Sequence, residues 1–210
     1  MDKEFSNSEK VFEKYLDDTL NFQVKKFIED LKKHYTPYLF SGVLRNFFIK
    51  IYEKPRDLDI VLLSSEGKVK ENIESFLANY GDVRKNSFGG YKLILDNFPI
   101  DLWFIEDTWA FQNKLLNENN NLEYNLLKST FFNFSSIIYD FKNQTFIIEK
   151  DFEKFISKRE MDIVLPDNPN QVLCILNIIY YAEKYQINLS KSLINYYISH
   201  FNSFSANDYL

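Results

Sequence analysis

The sequence has few of the features that mark secreted or membrane proteins. Its 210 residues include one cysteine, Cys174, so an internal disulfide is excluded and a reducing compartment is expected. No segment approaches the ~20 consecutive apolar residues that a membrane span needs. The start of the chain, MDKEFSNSEK, is charged and has no apolar run of the kind found in signal peptides. We therefore expect a cytoplasmic protein that does not insert into membranes.

The chain also lacks the excess of positive charge with which proteins hold long nucleic acids. It has 25 Lys and Arg residues against 30 Asp and Glu residues, a formal net charge of -5, and so little capacity to neutralise a row of phosphates. Hydrophobic residues make up 45% and aromatic residues 18% of the chain, which is typical of a packed globule rather than of a disordered protein. The composition argues against a long RNA as the usual partner.

The most informative stretch is residues 38–63, where two apolar runs flank a Ser41-Gly42 turn and a short helix. Asp57 and Asp59 open the second run, and because side chains alternate along a strand, both are predicted to face the same side. Two carboxylates at this spacing repel, and each raises the pKa of the other unless a cation lies between them. Oxygen ligands of this kind suit Mg²⁺ or Mn²⁺.

A third carboxylate decides how this acidic pair is interpreted, since an isolated Asp-x-Asp is common and is usually only solvated. Residues 98–105, FPIDLWFI, alternate as a strand that carries Asp101. If this strand lies beside the first, Asp101 comes within reach of the earlier two acids. Three convergent carboxylates facing a Ser-Gly turn and a helix N-terminus predict a nucleotide site, in which the turn holds phosphates and the acids hold metal ions.

The chain resembles the DNA polymerase β-like nucleotidyltransferases, most closely the head domain of CCA-adding enzymes and bacterial poly(A) polymerases. Their Gly-Gly-x-Val-Arg-Asp helix followed by Asp-x-Asp looks like residues 41–46, SGVLRN, followed by residues 57–59, DLD. The third family carboxylate corresponds to Asp101. The resemblance covers roughly residues 37–185, and the order of the motifs is more specific than any one of them.

Two later segments extend the resemblance. The family's Arg-Asp-Phe-Thr-x-Asn segment before a Tyr-Asp strand looks like residues 129–133, STFFN, before residues 138–140, IYD. The family's Asp-Pro helix has a counterpart in residues 168–173, NPNQVL. The family fold is α+β, with a mixed central β-sheet flanked by helices. We expect that fold here, followed by a small C-terminal helical module.

The resemblance implies a division of the chain and a set of site residues. The expected parts are an N-terminal helical segment (1–36), the nucleotidyltransferase domain (37–150), a helical module (151–201) and a flexible tail (202–210). The implied substrate is an NTP, ATP among them, or a dNTP. The implied catalytic residues, which would bind two Mg²⁺ or Mn²⁺ ions, are Asp57, Asp59 and Asp101. The implied nucleotide-binding residues are Ser41, Gly42, Arg45 and Asn133.

The chain departs from the family pattern at several of these positions. Ser41 stands where the family usually has its first Gly, Asn46 replaces an Asp, and Ser129-Thr130 replaces Arg-Asp. No Arg follows Arg159, so the family's acid-x-x-Arg element that reads the incoming base is missing. Base choice therefore does not carry over from the family, and the sugar and primer contacts carry over weakly.

The last residues suggest an acceptor. A minimal nucleotidyltransferase that ends close to Tyr209 is similar to the Hailong anti-phage nucleotidyltransferases, which build single-stranded deoxyadenosine chains on their own C-terminal tyrosine. That similarity implies an antiviral oligonucleotide primed on Tyr209, a protein partner encoded nearby such as a membrane effector, and an oligomer. On general grounds Tyr209 is equally one of 14 tyrosines in a frayed end. Two alternatives stay open, a toxin-like transferase that modifies tRNA or protein and a non-catalytic binding partner or antitoxin that keeps the fold.

Hydrophobic periodicity predicts helices in both terminal parts of the chain and strands between them. Ser8 is the expected cap of the first helix, and the Asn-rich residues 117–121 are expected to form a loop. The predicted strands after the acidic motif are residues 83–86, 90–95, 98–105, 131–139 and 145–148. The predicted helices after that motif are residues 67–80, a helix that starts at residue 109, and residues 168–185 and 189–201.

Overall fold

The structure is a computed structural model that describes residues 2–40, 42–63, 72–86, 89–116, 121–201 and 203–204, with side chains from residue 8 onward. Two of the predicted site residues, Ser41 and Tyr209, lie outside the described residues.

A mixed sheet of seven strands forms the centre of the protein, in the order β3-β4-β5-β2-β1-β6-β7. β2 and β5 are parallel, and every other neighbouring pair in this sheet is antiparallel. The predicted α+β class with a mixed central sheet is therefore confirmed. The strands are β1 (Thr36–Phe40), β2 (Leu58–Leu63), β3 (Val83–Lys85), β4 (Tyr91–Leu95), β5 (Phe98–Phe104), β6 (Ile137–Asp140) and β7 (Thr145–Ile148).

Helices flank the sheet. A separate ladder of two short parallel strands pairs the segment just before the last helix with an earlier segment of the chain. The ladder consists of β8 (Glu160–Met161) and β9 (Asn188–Leu189). The helices are α1 (Asp2–Thr19), α2 (Phe22–Lys32), α3 (Gly42–Phe48), α4 (Ile73–Leu77), α5 (Trp109–Gln112), α6 (Leu122–Lys128), α7 (Lys150–Lys158), α8 (Gln171–Tyr185) and α9 (Lys191–Phe201). Short 3₁₀ turns follow α4 and β5 and precede β6, at Ala78–Tyr80, Ile105–Asp107 and Asn133–Ser135.

Asparagine side chains start three of these helices. Asn21 accepts a hydrogen bond from the backbone N–H of Val24 at 2.8 Å, and Asn170 does the same for Leu173 at 2.9 Å. Each such bond satisfies one of the backbone donors that a helix leaves unpaired at its first turn. Asn121 caps α6 in the same way. The expected cap at Ser8 is wrong, because α1 begins at Asp2 and Ser8 lies inside it.

The two faces of the sheet bury two separate apolar clusters, as alternation along the strands requires. One face packs Leu39, Ile60 and Leu102 into the main core beneath α1 and α2. The opposite face packs Tyr38 and Val61 into a smaller cluster with residues of α6. The predicted acidic residues lie on the face that carries the smaller cluster, since Asp59 is two residues before Val61 on β2.

Several predicted boundaries differ from those in the structure. Residues 64–71 are outside the described part, and the rest of the helix expected at 67–80 is α4 plus a 3₁₀ turn, ended by Gly81 at φ 113°. The strand expected at 131–139 begins only at Ile137, because residues 133–135 form a 3₁₀ turn. Residues 117–120 of the expected loop are also outside the described part, and α6 starts directly after Asn121.

The C-terminal helices share the main core with the sheet. Cys174 and Ile178 of α8 and Leu193 of α9 belong to the same buried cluster as the sheet residues, and the Cys174 thiol is buried as expected. The proposed division at residue 150 therefore crosses one continuous core. Among the described residues, no helix combines the length and the apolar character that a bilayer span requires.

Candidate functional site

Asp59 and Asp101 face each other across the only parallel pair of strands in the described central sheet. They are register partners of β2 and β5, and register partners of neighbouring strands lie ~4.8 Å apart and project from the same face. Asp57 lies one residue before β2, two positions ahead of Asp59. The structure thus places Asp59 and Asp101 side by side on neighbouring strands, with Asp57 just before β2.

Like charges and burial act together on the central acid. Burial in the sheet, and then the negative charges of Asp57 and Asp101, raise the pKa of Asp59 to about 7. The nearby cations Arg56 and Lys92 oppose this shift but do not cancel it. Any added positive charge would stabilise the ionised form of this carboxylate, and bound divalent ions are often the largest local charges in a site.

The outer two acids are paired with exposed cations. Arg56 contacts the Asp57 carboxylate at 2.9 Å, and Lys92, the register neighbour of Asp101 on β4, contacts that carboxylate at 3.2 Å. In the described part of the chain, no three His, Cys, Asp or Glu side chains are gathered closely enough to hold a metal ion. The oxygen donors nevertheless fit Mg²⁺ or Mn²⁺ chemically, since these ions favour carboxylates together with substrate phosphates.

A cavity of about 530 Å³ lies on the side of the sheet that carries Asp59 and Asp101, and neither acid is among the described residues that line it. Two of its lining side chains tie it to them, because Phe40 is the register partner of Asp59 and Trp103 follows Asp101 by two residues on the same face. The opposite part of the lining comes from α8, including Asn177 and Tyr181. The cavity therefore lies between the sheet and α8, and its volume is in the range of small-molecule sites.

Arg45 lines this cavity as a buried cation. Its side chain is 9% exposed, and no carboxylate of the described residues forms an ion pair with it. Its guanidinium donates hydrogen bonds to Oδ1 of Asn46 at 3.2 and 3.3 Å. Rings of Phe134, Tyr181 and Tyr185 lie 5.0 to 5.2 Å from the guanidinium carbon. A desolvated charge in this setting is stabilised by an anion that enters the cavity.

Of the other predicted nucleotide-binding residues, Gly42 lies beside Arg45, whereas Asn133 lies outside the described lining of the cavity. Gly42 is the first residue of α3 and lies close to Arg45, since a Cβ there would be 3.8 Å from Nη2 of the arginine. Asn133 is 2% exposed, and its amide is occupied by the backbone of the β8 region. Its Nδ2 donates to the carbonyl of Glu160, and its Oδ1 accepts from the N–H of Asp162, both at 3.0 Å. Asn133 is not among the described residues that line the cavity.

Sequence reasoning missed the aromatic side of the site. Tyr181 and Tyr185 are one helical turn apart on α8, and their rings stack with centroids 5.7 Å apart. Their i, i+4 spacing could have indicated a shared face. Nothing in the sequence could have indicated that this face meets Arg45, more than 130 positions earlier.

Solved structures of known proteins match the fold of this chain and share little of its sequence. A CCA-adding enzyme in an apo form matches with a TM-score of 0.65 at 14% identity, over 90% of this chain and 45% of the other. The Thermotoga maritima CCA-adding enzyme complexed with tRNA matches with 0.66 at 14%, over 94% and 48%. This is the nucleotidyltransferase fold. The fold expected from the order of the motifs is therefore confirmed.

A tRNA nucleotidyltransferase complexed with a primer tRNA and an incoming ATP analogue matches in the same way, with a TM-score of 0.60 at 16% identity, over 84% of this chain and 50% of that one. This chain thus spans about half the length of the nucleotidyltransferases that it matches. No protein-family model matches the sequence, and neither does any curated protein. At such low identity, the likeness establishes the nucleotidyltransferase fold and leaves substrates and partners open.

Proposed function

We propose that this protein is a metal-dependent nucleotidyltransferase, which transfers a nucleoside monophosphate from an NTP or dNTP to a hydroxyl group without a template. The observation that carries this proposal is the register pairing of Asp59 with Asp101 beside a cavity that holds a buried, unneutralised Arg45. Paired carboxylates suit the divalent ions of a metal-bound triphosphate, and a buried guanidinium on the same side of the sheet suits its phosphates.

The three acids would hold the divalent ions, Mg²⁺ or Mn²⁺. When bound, two such ions would neutralise charge on the phosphates and favour the ionised form of the acceptor hydroxyl. The hydroxyl oxygen would then attack the α-phosphorus in line, form the new phosphoester bond and release pyrophosphate. Asp59 is central to this assignment, because burial and the negative charges of Asp57 and Asp101 raise its pKa, so that a bound cation would favour its ionised form.

Arg45 would bind the β- and γ-phosphates, together with Gly42 and Ser41. Burial of a guanidinium without a carboxylate costs free energy unless an anion compensates it. A polyphosphate is the anion that the adjacent acids would also attract once divalent ions are bound. The shape and chemistry of the cavity thus support an NTP or dNTP as substrate.

The acceptor hydroxyl stays a prediction. Priming on Tyr209 is the hypothesis that the sequence suggests. Two of the matched structures are tRNA-processing enzymes, and such matches lend no support to the antiviral role. Transfer to tRNA or to another protein is the alternative acceptor. A non-catalytic partner that keeps the fold would bind nucleotide without releasing pyrophosphate.

Incubation with each labelled NTP and dNTP in Mg²⁺ or Mn²⁺ tests the proposal. Pyrophosphate release measures turnover, and the intact mass of the protein reports an adduct on the chain itself. We expect release by the wild type, none by Asp59→Asn, and unchanged release by the matched control Asp82→Asn, an exposed acid that is not among the described residues lining the cavity. Label on the protein supports Tyr209 as primer if Tyr209→Phe abolishes it. Label only on an added cell extract supports the alternative acceptors, and no release with any nucleotide would refute the proposal.

A further inference from the structure

The environment of Arg45 is built mainly from aromatic rings of distant parts of the chain. Phe134 comes from the turn before β6, and Tyr181 and Tyr185 come from α8. The guanidinium carbon is 5.2, 5.0 and 5.1 Å from these three ring centroids, respectively. A cation within about 6 Å of a ring centroid is attracted by the negative face of the ring, most strongly where water is excluded.

Asn46 links the same arginine to α8 a second time. Its Oδ1 accepts both hydrogen bonds of the Arg45 side chain and lies 3.3 Å from the hydroxyl of Tyr185, which donates to it. An amide oxygen fixes the direction of the guanidinium without carrying a charge of its own. The rings and the amide together therefore hold a buried cation in place and leave its charge unneutralised.

We propose that Tyr181 and Tyr185 are positioning residues, which hold the Arg45 guanidinium at the cavity wall for the polyphosphate of the substrate. This inference rests on the proposed function and adds that the nucleotide site is completed by α8. A carboxylate partner would hold Arg45 equally well, but it would compete with the phosphates for the same donors. Ring faces avoid this competition, because their attraction for the cation persists when an anion binds.

Packing alone is the alternative explanation of these tyrosines, since Tyr185 belongs to the main core and Tyr181 packs against it. The two explanations differ in what a ring contributes. If the tyrosines only fill space, an apolar side chain of similar bulk serves as well as an aromatic one. If they position Arg45, Tyr181→Phe keeps the function and Tyr181→Leu loses it.

The test measures binding of inorganic tripolyphosphate and of NTP in Mg²⁺ by isothermal titration, together with KM and kcat. We expect Tyr181→Leu to weaken tripolyphosphate binding and raise KM by about tenfold with a smaller change in kcat, as for loss of one desolvated cation–π contact. Tyr181→Phe should bind as the wild type does. The control Tyr197→Leu removes a tyrosine of α9 that stacks on Phe201 and is not among the described rings around Arg45, and it should leave binding unchanged.

A double variant separates positioning from packing. In an Arg45→Ala background, Tyr181→Leu should cause no further loss of affinity, because its effect acts through the arginine. Additive losses, or a Tyr181→Leu variant that binds like the wild type, would overturn the inference. If Tyr181→Leu melts well below Tyr197→Leu, the flexible Tyr181→Met variant replaces it under the same criteria. Failure of the wild type to bind tripolyphosphate or any NTP would overturn the proposed function as well, whereas normal wild-type binding with no effect of Tyr181 overturns this inference alone.

Discussion

Asp59 shows how position rather than residue type sets the chemistry of a side chain. Three aspartates occur within this site. Asp57 forms an ion pair with Arg56, and Asp101 forms one with Lys92. Asp59 lies between two like charges on a buried strand, and its pKa is raised to about 7. In the ligand-free protein the ionised form of Asp59 is therefore destabilised relative to the neutral form.

The first prediction follows from that cost. Asp59→Asn should abolish nucleotidyl transfer and leave the melting temperature at neutral pH equal to or above that of the wild type, because it removes one of three repelling charges. Differential scanning calorimetry and pyrophosphate release measure the two effects. A variant that is inactive because it has unfolded would contradict the expectation.

A second prediction concerns Lys92. Its exposed ion pair with Asp101 competes with a divalent ion for that carboxylate, and exposed pairs are worth only about 0 to 1 kcal/mol. Lys92→Met should therefore tighten Mn²⁺ binding, measured by electron paramagnetic resonance, by no more than about fivefold. Lys85→Met, which removes a comparable pair with Glu74, is the control and should leave Mn²⁺ binding unchanged.

At the scale of elements, a joint of polar side chains attaches the last helices to the sheet. The Asp162 carboxylate accepts hydrogen bonds from the hydroxyls of Ser190 and Ser192 and from the N–H of Ile163. The backbone N–H of Asp162 in turn donates to Asn133. The turn before β6, the ladder of β8 and β9, and the start of α9 are thereby fixed relative to one another.

A pH dependence follows from this joint. Burial alone would raise the pKa of Asp162, but hydrogen bonds from the two serines and Ile163 outweigh it, and the pKa is lowered. Because the folded protein favours the ionised form, this stabilisation is present above the unfolded pKa of about 3.9 and is lost as the pH falls through the folded value. Asp162→Asn should cost about 1 kcal/mol at pH 7, a figure reduced by partial exposure.

Urea unfolding at pH 7, 5 and 3 measures that cost. The difference between wild type and Asp162→Asn should be similar at pH 7 and pH 5 and should shrink at pH 3. Asp151→Asn, which breaks an exposed pair with Lys154, is the control and should change stability by less than about 0.5 kcal/mol. A difference that grows on acidification would contradict the assigned sign.

Asn133 belongs to the same joint, and a fourth prediction separates its two possible roles. Its amide makes two hydrogen bonds to backbone in a buried position, and Asn133→Ala would leave both backbone groups unpaired. We expect a loss of roughly 2 to 4 kcal/mol in the free energy of unfolding, with the NTP affinity of the folded fraction unchanged. A selective loss of NTP affinity at normal stability would favour the nucleotide-binding role that the family resemblance implies for Asn133.

At the scale of the whole molecule, the fold was more accessible to sequence reasoning than the site. The strand pair that carries Asp59 and Asp101 could be predicted, because alternation and motif order are local signals. The aromatic rings around Arg45 could not be predicted, because Tyr181 and Tyr185 approach the arginine only through tertiary packing. The hydrogen bonds of Asn133 were equally hidden, since their partners are backbone groups of Glu160 in the short strand β8 and of Asp162 just after it.

The shared core leads to a fifth prediction, on truncation. Because Cys174, Ile178 and Leu193 are buried in the main cluster, removal of residues 171–210 should expose that cluster and abolish cooperative thermal unfolding. Near-UV circular dichroism and calorimetry measure this outcome. A truncated chain that melts cooperatively would instead support a separate helical module at 151–201.

The unneutralised guanidinium of Arg45 also bears on how the protein is handled at the bench. Sulfate or inorganic phosphate in a purification buffer would occupy the same spot as the substrate tail and raise the melting point. A chloride buffer free of sulfate, phosphate and carboxylate anions would leave the guanidinium accessible, so a nucleotide screen by thermal shift would show its full effect in such a buffer.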